Sequence, residues 1–401
     1  MKTEHDDKTL TLYLAGRIDA NNSANIESEI SEVLAKNPDN VPVFDAGELE
    51  YISSAGLRVL LKFRKQFGKN LDVLNASSDV YNIFEVTGFT ELLNVRKRLR
   101  EISLDGCEVI GGGGFSTVYR LDPETIVKVF TRPEATLAGA EKDRIISREV
   151  FLHDIPTAIA YDVVKADDKY GLVYEMIDAD TVSGTIRKHP ERLEELSLKM
   201  ARLMKKLHTT EFETGTFPDV RDKFSMMVRG VYENGFITAD EKAIADRVID
   251  RIPRRNTFVH TDFHPKNIMV SGDDLILIDV GDAGLGHPII ELMCSYSLFV
   301  FLARYSAKSG PGGTHEKNMG LDADTLGAMW NIILPEYFGT SNKETLSRYE
   351  GIISDYASLF FMEAALLSEG KMPVERRKDL CRKAVIHLSE TADTLKPIEG
   401  I

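Results

Sequence analysis

The chain has 401 residues, of which 49 are Lys or Arg, 63 are Asp or Glu and 43% are hydrophobic. This is the composition of a globular protein, and the length predicts two or three domains. The net charge of −14 excludes a non-specific grip on nucleic acid or on an anionic membrane surface, because both need a basic protein surface.

Targeting signals and cysteine spacing indicate the compartment. Neither a signal peptide nor a membrane span is visible in the sequence. The three cysteines lie far apart and match no metal-ligand spacing. We therefore expect a cytoplasmic protein with reduced thiols.

Short strands and helices alternate over the first hundred residues. The pattern predicts strands over 10–16, 41–44 and 71–74, and helices over 25–36, from 53 onward and over 78–93. This alternation is typical of a small α/β domain, which we place at residues 1–105.

Two serines open the second helix, at Ser53 and Ser54. Backbone N–H groups at a helix start stabilise an oxygen or a phosphate, and an N-cap is the simplest explanation for such serines. Together with a strand that ends at Asp45 and the Gly56-Leu57 pair, residues 8–103 resemble STAS domains, the fold of bacterial anti-sigma-factor antagonists.

The STAS resemblance implies a role in sensing or in docking a protein partner. In that family the serine two places before the Gly-Leu pair is phosphorylated by a partner kinase, and this serine corresponds to Ser54. The acidic residue that usually precedes it is replaced here by Ser53. A phosphate at this turn would change how the surface docks a partner.

The second half begins with a glycine-rich turn between two strand-like segments. Glycines let the backbone approach phosphates closely and let its N–H groups face them. The residues expected to contact a nucleotide here are Gly111, Gly113, Gly114, Phe115 and Ser116.

Lys128 lies inside the apolar strand that follows, where an unpaired ammonium group is costly to desolvate. Nucleotide phosphates together with a carboxylate would supply the anion that it needs. The candidate carboxylate is Glu149 in the next helical segment, with Glu141 as the alternative. Further on, an apolar strand runs into a connector at Glu175 and Ile177, whose backbone groups suit an adenine edge.

Asp262, Asn267 and Asp279 form the strongest motif. Two apolar segments after Asn267 flank a turn at 271–274, so a hairpin is expected to return Asp279 to the vicinity of Asn267. In this arrangement Asp262 can accept a proton from a hydroxyl group, and Asn267 and Asp279 can bind a magnesium ion that also contacts the phosphates.

Residues 106–401 resemble the protein-kinase-like superfamily, and within it the aminoglycoside phosphotransferase and choline kinase branch. His264-Pro265 after Asp262, and the run from His287 to Leu292, are similar to that branch. The resemblance implies an α+β bilobal kinase-like fold, with an N-lobe at 106–180 and a helical C-lobe at 181–401. A STAS domain joined to such a kinase is similar to a group of bacterial proteins.

The resemblance also implies residue roles. Lys128 would contact the α- and β-phosphates of ATP and pair with Glu149, Asp262 would be the catalytic base, and Asn267 and Asp279 would bind Mg²⁺. His260 would orient the catalytic loop. The sequence departs from protein kinases at Ser116, which replaces the third loop glycine, and at Val280, which replaces a phenylalanine.

These observations predict a phosphotransferase that uses ATP and Mg²⁺ to phosphorylate a hydroxyl of a small molecule and carries a regulatory STAS domain. The alternatives are a serine/threonine protein kinase that acts on a STAS domain, including its own Ser54, and a nucleotide-binding signalling module without turnover. The helical tail would form the acceptor pocket. Its aromatic residues are expected mainly in the core, and the sequence leaves open an aromatic cage for a quaternary ammonium or an acidic cluster for an aminoglycoside.

Overall fold

The computed structural model describes residues 1–6, 9–67, 71–113, 115–132, 136–307, 314–367, 370 and 372–399. The chain divides into two compact units. The first comprises residues 1–103 with 164–168, and the second comprises residues 104–163 with 169–401.

The first unit is a sheet with connecting helices. Its strands are β1 (Thr3–Asp6), β2 (Thr9–Ile18), β3 (Val41–Ile52), β4 (Asp72–Ala76), β5 (Asn94–Lys97) and β6 (Arg100–Ile102). Its helices are α1 (Ser23–Lys36), α2 (Ser54–Phe67) and α3 (Ser78–Val86), and a 3₁₀ turn follows at Phe89–Glu91. The sheet order is β1-β2-β3-β4-β5, with β1 antiparallel to β2 and the other neighbours parallel.

Strand β3 is longer than predicted. The sequence indicated a strand only as far as Phe44, whereas β3 continues to Ile52. Buried positions continue along the strand at Ala46 and Leu49. Two register irregularities in the pairing with β2 accommodate extra residues of β3, the first at Ala46–Gly47 and the second at Glu50. The longer strand delivers the chain directly to the start of α2.

Helix α2 packs closely on the sheet at Gly56. A β-carbon at this position would lie 2.7 Å from the Cγ2 methyl carbon of Ile18 and 2.7 Å from the Cγ1 methylene carbon of Ile52. We expect Gly56→Ala to destabilise the first unit by about 1–2 kcal/mol, because the overlap outweighs the better helix propensity of alanine. Far-UV circular dichroism during denaturant unfolding measures the change.

Gly327→Ala is the matched control, since a β-carbon there meets no atom within 4 Å. It should leave stability unchanged or raise it by up to about 1 kcal/mol. The single tryptophan, Trp330, lies in the second unit and reports its unfolding separately by fluorescence. Equal stability of Gly56→Ala and wild type would contradict the close packing.

The second unit opens with a sheet. Its strands are β7 (Glu108–Gly112), β8 (Ser116–Arg120), β9 (Thr125–Phe130), β10 (Ala160–Ala166), of which residues 160–163 belong to this unit, and β11 (Lys169–Glu175). Helix α4 (Leu137–Leu152) follows β9. The strand order is β10-β11-β9-β8-β7. Lys128 therefore lies on the central strand, opposite Val118 of β8 and Leu172 of β11.

The remainder is mostly helical. The first helices are α5 (Val182–Lys188), α6 (Leu193–Thr209), α7 (Val220–Glu233) and α8 (Ala239–Asp250), with a 3₁₀ turn at Pro190–Arg192. Short strands follow at β12 (Phe258–Val259), β13 (Ile268–Ser271), β14 (Asp274–Leu277) and β15 (Gly284–Leu285), with a 3₁₀ turn at Val280–Asp282. The last helices are α9 (Ile289–Tyr296), α10 (Leu302–Ala307), α11 (Thr314–Met319), α12 (Ala323–Phe338), α13 (Lys343–Leu367) and α14 (Val374–Thr391), and a π-helical segment at Ser297–Phe301 joins α9 to α10.

The helices enclose one apolar core. Phe299, Trp330 and Tyr337 lie in it, as expected for the aromatic residues of the tail. Cys294 and Cys381 are buried thiols. Among the helices of the described residues, none is both long enough and apolar enough to cross a membrane.

Candidate active site

The predicted hairpin joins two of the motif residues. Strands β13 and β14 pair antiparallel, with Ile268 opposite Leu277. The backbone N–H of Ile278 then donates to the carbonyl oxygen of Asn267 at 2.9 Å. Asp279 therefore follows directly beside Asn267.

The loop from His260 to Asn267 is anchored by a buried carboxylate. Glu291 of α9 is fully buried, and its Oε2 atom accepts the backbone N–H of His260 at 2.6 Å and that of Thr261 at 3.3 Å. Thr261 has a φ of 69° and Asp279 has a φ of 62°, so both lie in the left-handed region. This conformation is strained above all for Thr261, which is β-branched. Glu291 thus stabilises a strained backbone at the site.

Two histidines orient Asp262. The backbone N–H of Asp262 donates to His260 Nδ1, and His260 Nε2 donates to the carbonyl oxygen of Ile278, both at 3.2 Å. His264 Nδ1 accepts the backbone N–H of Lys266, so its proton lies on Nε2, which is 3.4 Å from Asp262 Oδ2. His264 therefore holds the carboxylate from one side.

The electrostatic surroundings keep Asp262 ionised. Burial opposes ionisation, but the nearby imidazoles of His264 and His260, the hydrogen bond from His264 and the Asn267 amide outweigh it and hold the pKa of Asp262 below its ordinary value. Asn267 Nδ2 donates to Asp262 Oδ2 at 2.9 Å. A half-exposed, ionised carboxylate is the state that a general base needs.

Lys128 reaches the same place from the sheet. Its Nζ atom is 2.5 Å from Asp279 Oδ1, and its side chain is only 16% exposed. Burial lowers the pKa of Lys128, but Asp279, Tyr174 and Asp143 outweigh this effect and raise it above its ordinary value. The ammonium group stays charged although it is buried.

The ion-pair partner of Lys128 is Asp279, and the charge of Asp143 on α4 also acts on Lys128; among the described residues, no ion pair joins Lys128 to Glu149. Asp143 and Ser147 are one turn apart on the inner face of α4, where Ser147 Oγ donates to the Asp143 carbonyl oxygen. At about 100° per residue, Glu149 points to a different side of the helix. Glu141, the alternative, pairs instead with Arg144.

Asp143 also touches the segment after Asp279. A β-carbon on Gly281 would overlap the Asp143 carboxylate, so only glycine permits this approach. Burial raises the pKa of Asp143 to about 6, against the effect of Lys128, and the charges of Asp282 and Asp279 add to the rise.

The glycine-rich turn closes the hairpin of β7 and β8. The backbone N–H of Gly113 donates to the carbonyl oxygen of Ser116 at 2.9 Å, and open space lies beside Gly113. Gly111 lies within β7, and Phe115 is 44% exposed with the guanidinium of Arg132 over its ring. Gly114 lies outside the described residues.

Glu175 and Ile177, the two residues of the connector after β11 that were predicted to bind adenine, differ in their backbone hydrogen bonds. The backbone N–H of Glu175 donates to Ile159, and that of Met176 donates to Glu124. In the part of the chain that the structure describes, the backbone N–H of Ile177 has no acceptor. The N–H group of Ile177 is therefore available to an acceptor outside the chain, whereas those of Glu175 and Met176 are already bonded.

In the first unit, Ser53 rather than Ser54 caps α2. Ser53 Oγ accepts the backbone N–H of Ala55 at 3.2 Å and that of Gly56 at 3.5 Å. Ser54 is the first residue of the helix and is exposed. The Ser54 hydroxyl is thus accessible and is not used as the cap.

Family models match both units. A model of the phosphotransferase enzyme family matches residues 106–314, slightly more than half of the chain. The chain belongs to the phosphotransferase enzyme family. A STAS domain model matches residues 1–102. The predicted fold, an α/β STAS domain followed by a kinase-like phosphotransferase, is confirmed.

Similar proteins are found for each part of this phosphotransferase. The "Putative anti-sigma factor antagonist BtrV" of Bordetella bronchiseptica is 35% identical over 92 residues, which cover 22% of this chain and 78% of that protein. The ADP-bound aminoglycoside phosphotransferase APH(2'')-Ib has 15% identity and a TM-score of 0.47, covering 71% of this chain and 94% of its own. A choline/ethanolamine kinase family protein from Mesorhizobium loti has 13% identity and a TM-score of 0.45, covering 72% and 88%.

Three residues of the phosphotransferase site had no role assigned from the sequence. Asp143 was not considered, because nothing local shows which side of α4 faces Lys128. His264 and Glu291 were noted only as marks of a family branch. Their positions in short motifs, His264 just after Asp262 and Glu291 in the run that follows Asp279, could have marked them as site residues. Their contacts with the loop from His260 to Asn267 depend on the tertiary structure.

Proposed function

We propose that this enzyme transfers the γ-phosphoryl group of ATP, with Mg²⁺, to a hydroxyl group of a small molecule. One observation carries the proposal: Lys128 donates a hydrogen bond to Asp279, which is 151 positions away in sequence, beside the hydrogen bond between Asn267 and Asp262. Residues from a sheet, a loop and a hairpin thus bring one cation, two carboxylates and an amide to a single place.

The residues take complementary parts in the transfer. The acceptor oxygen forms a bond to the γ-phosphorus while the bond to the β–γ bridging oxygen breaks, Asp262 takes the hydroxyl proton, and ADP leaves. Lys128 compensates phosphate charge, and the backbone at Gly113 and Ile177 binds phosphate and adenine. The ion pair with Asp279 keeps the Lys128 ammonium at the site before a nucleotide binds.

The donor set fits magnesium. Asp279 offers a carboxylate and Asn267 an amide oxygen, which are hard oxygen ligands, and Mg²⁺ commonly takes one or two protein ligands and completes its shell with phosphate oxygens and water. Within the described ranges, no three His, Cys, Asp or Glu side chains form a metal-binding group by themselves. When bound, the ion supplies positive charge to the phosphate oxygens.

The short path after Asp279 favours a small acceptor over a protein. The chain passes from Asp279 through the turn at Val280–Asp282 and β15 to α9, where Glu291 anchors the catalytic loop. This leaves no long segment of the kind on which protein kinases bind a substrate peptide.

A thermal-shift experiment with Mg²⁺ and ATP tests the proposal, because a ligand that binds only the folded protein raises its stability, by about 2.7 kcal/mol at one hundred times the Kd. We expect stabilisation of the wild type and almost none of Lys128→Met. Lys169→Met, which changes an exposed lysine on the neighbouring strand β11, should behave as wild type. Absence of a shift in the wild type, or an equal shift in Lys128→Met, would contradict nucleotide binding at this site.

A second candidate activity is phosphorylation of a STAS domain at Ser54, and the exposure of Ser54 beside the capping Ser53 favours it. We propose that this domain docks a protein partner and that a phosphate on Ser54 regulates the docking. Incubation with Mg²⁺ and ATP followed by mass spectrometry should find phosphate on Ser54 and none at this position in Ser54→Ala. An unmodified Ser54 in the wild type removes this activity and leaves small-molecule transfer in place.

A further inference from the structure

One cation beside the glycine-rich turn has no part in the roles assigned above. Arg132 lies two residues beyond the end of β9, and its guanidinium Cζ atom is 3.2 Å from the centroid of the Phe115 ring. The Phe115 side chain is 44% exposed, and Arg132 is exposed as well. The stacked pair therefore lies at the surface of the turn, where a bound ligand can reach it.

Backbone hydrogen bonds fix Arg132 beside the turn. Ser116 of β8 lies opposite Phe130 of β9 in the register of the two strands. Just beyond this pair, the backbone N–H of Thr131 donates to the carbonyl oxygen of Phe115 at 3.0 Å. The chain that carries Arg132 is thus held against the turn by its backbone as well as by the stacked side chains.

Arg132 continues the row of side chains to which Lys128 belongs. Residues two apart on a strand share a face, and the Lys128 Nζ atom lies 5.7 Å from the centroid of the Phe130 ring. Arg132 is the next residue in this alternation, and its guanidinium lies over Phe115. Two cations, Lys128 and Arg132, therefore follow one another from the centre of the sheet to the tip of the turn.

The register of the sheet gives the order of these groups along a nucleotide. Strands β9 and β11 are antiparallel, with Thr125 opposite Glu175, two residues before the Ile177 N–H group to which we assigned adenine. From that end, β9 runs through Lys128 toward Arg132. A nucleotide with its adenine at the connector and its first phosphates at Lys128 therefore directs its terminal phosphate toward Arg132.

The stack leaves the guanidinium able to bind an anion. Among the ion pairs of the described residues none involves Arg132, whereas Arg120 of β8 pairs with Glu108. A guanidinium that stacks on a ring through its flat face keeps N–H donors along its edges, and these match the oxygens of a phosphate.

We propose that Arg132, held on the ring of Phe115, binds the terminal phosphate of the nucleotide and makes the site prefer a nucleoside triphosphate to a diphosphate. The inference rests on the proposed function for the position of the nucleotide. Before transfer, the γ-phosphate lies between Arg132 and Lys128. After transfer, ADP lacks the group that Arg132 binds, so the product is held less tightly than the substrate.

Two simpler roles for Arg132 predict different results. A stack that only closes the hairpin of β7 and β8 affects every nucleotide equally, because it contacts none of them. An arginine that binds the α- or β-phosphate weakens ATP and ADP equally when it is removed, because both nucleotides carry these groups. The ratio of the two dissociation constants therefore separates the proposed role from both.

The test is calorimetry on the full-length protein with Mg²⁺, which measures the Kd of ADP and of a non-hydrolysable ATP analogue. We expect Arg132→Gln to raise the Kd of the analogue about 10-fold or more, because a hydrogen-bonded charge pair is lost. The Kd of ADP should change by less than about twofold. An equal rise for both nucleotides, or no rise for the analogue, would overturn the inference.

Three further variants assign the preference to the stacked pair. Arg132→Lys keeps the charge but not the planar group, so it should restore part of the preference for the analogue. Phe115→Leu removes the ring and should lower the preference by about threefold. Arg148→Gln removes an exposed arginine of α4 and should change neither Kd. Full preference in Phe115→Leu, or a loss in Arg148→Gln equal to that in Arg132→Gln, would also overturn the inference.

The same titrations separate this inference from the proposed function. If both nucleotides bind and Arg132→Gln keeps the wild-type ratio of the two constants, only the role of Arg132 is removed. If neither nucleotide binds the wild type, the proposed function is removed together with the inference that rests on it.

Discussion

Replacing Asp262 with asparagine is expected to lower kcat by about 10²–10⁴-fold, the usual contribution of a positioned general base. Asparagine keeps the shape and polar contacts of the side chain but does not take the acceptor proton. Nucleotide-dependent stabilisation should remain close to that of the wild type, because Lys128, Asn267 and Asp279 are unchanged. Steady-state transfer to the acceptor, measured with a coupled ADP assay, gives the comparison.

Asp273→Asn is the control for this change. Asp273 lies at the fully exposed turn of the same hairpin, so its removal alters the charge of the segment without touching the loop. Its kcat should equal that of the wild type. An Asp262→Asn enzyme that retains more than about a tenth of the wild-type rate would be incompatible with Asp262 as the base.

Glu291→Ala is expected to destabilise the second unit by about 3 kcal/mol. The variant leaves the buried N–H groups of His260 and Thr261 without their acceptor, and each such group costs about 1–3 kcal/mol. It also releases the strained Thr261, so activity should fall with stability. Denaturant unfolding followed by the fluorescence of Trp330 reports the change in this unit. Wild-type stability in the variant would exclude Glu291 as the anchor.

Glu291→Gln is the matched variant, because its amide oxygen still accepts the two backbone N–H groups and only the charge is lost. We expect it to cost less than about 1 kcal/mol at neutral pH. Glu291→Gln also serves as the reference against which the pH dependence of wild-type stability is measured.

Burial raises the pKa of Glu291 from 4.5 to about 7, against the hydrogen bonds from His260 and Thr261. Between these values the folded protein keeps a proton that the unfolded chain releases, so this group's contribution to stability falls as the pH rises. The free energy of unfolding of wild type relative to Glu291→Gln should therefore decrease by about 1–3 kcal/mol from pH 4.5 to 7. A difference that stays constant with pH would show that Glu291 does not titrate in this range.

Local patterns predicted the part of the site that depends on neighbouring residues. The apolar segments on either side of the turn at 271–274 were enough to place Asp279 beside Asn267, because a hairpin of this length has one simple register. The strands of the first unit were also predictable from local patterns, because their apolar residues recur at strand spacing within each short segment. The end of β3 was not, because pairing with β2 continues beyond the apolar run.

The carboxylate beside Lys128 could not be predicted from α4 alone. Its buried face carries Ala140, Ile146, Ser147 and Val150, but the equally large apolar residues Ile145, Phe151 and Leu152 are exposed on other sides of the helix. Hydrophobic periodicity therefore does not show which face of α4 packs inward, and the choice between Glu149 and Asp143 depends on packing against the sheet and on the absence of a side chain at Gly281.

The sequence by itself determined the two-part organisation and the hairpin that carries Asp279, because each depends on interactions within a short stretch of chain. Only the tertiary structure decided which groups surround them. Asp143 and Glu291 come from helices distant in sequence from the motif residues. Their positions are determined by helix packing, which no local pattern specifies.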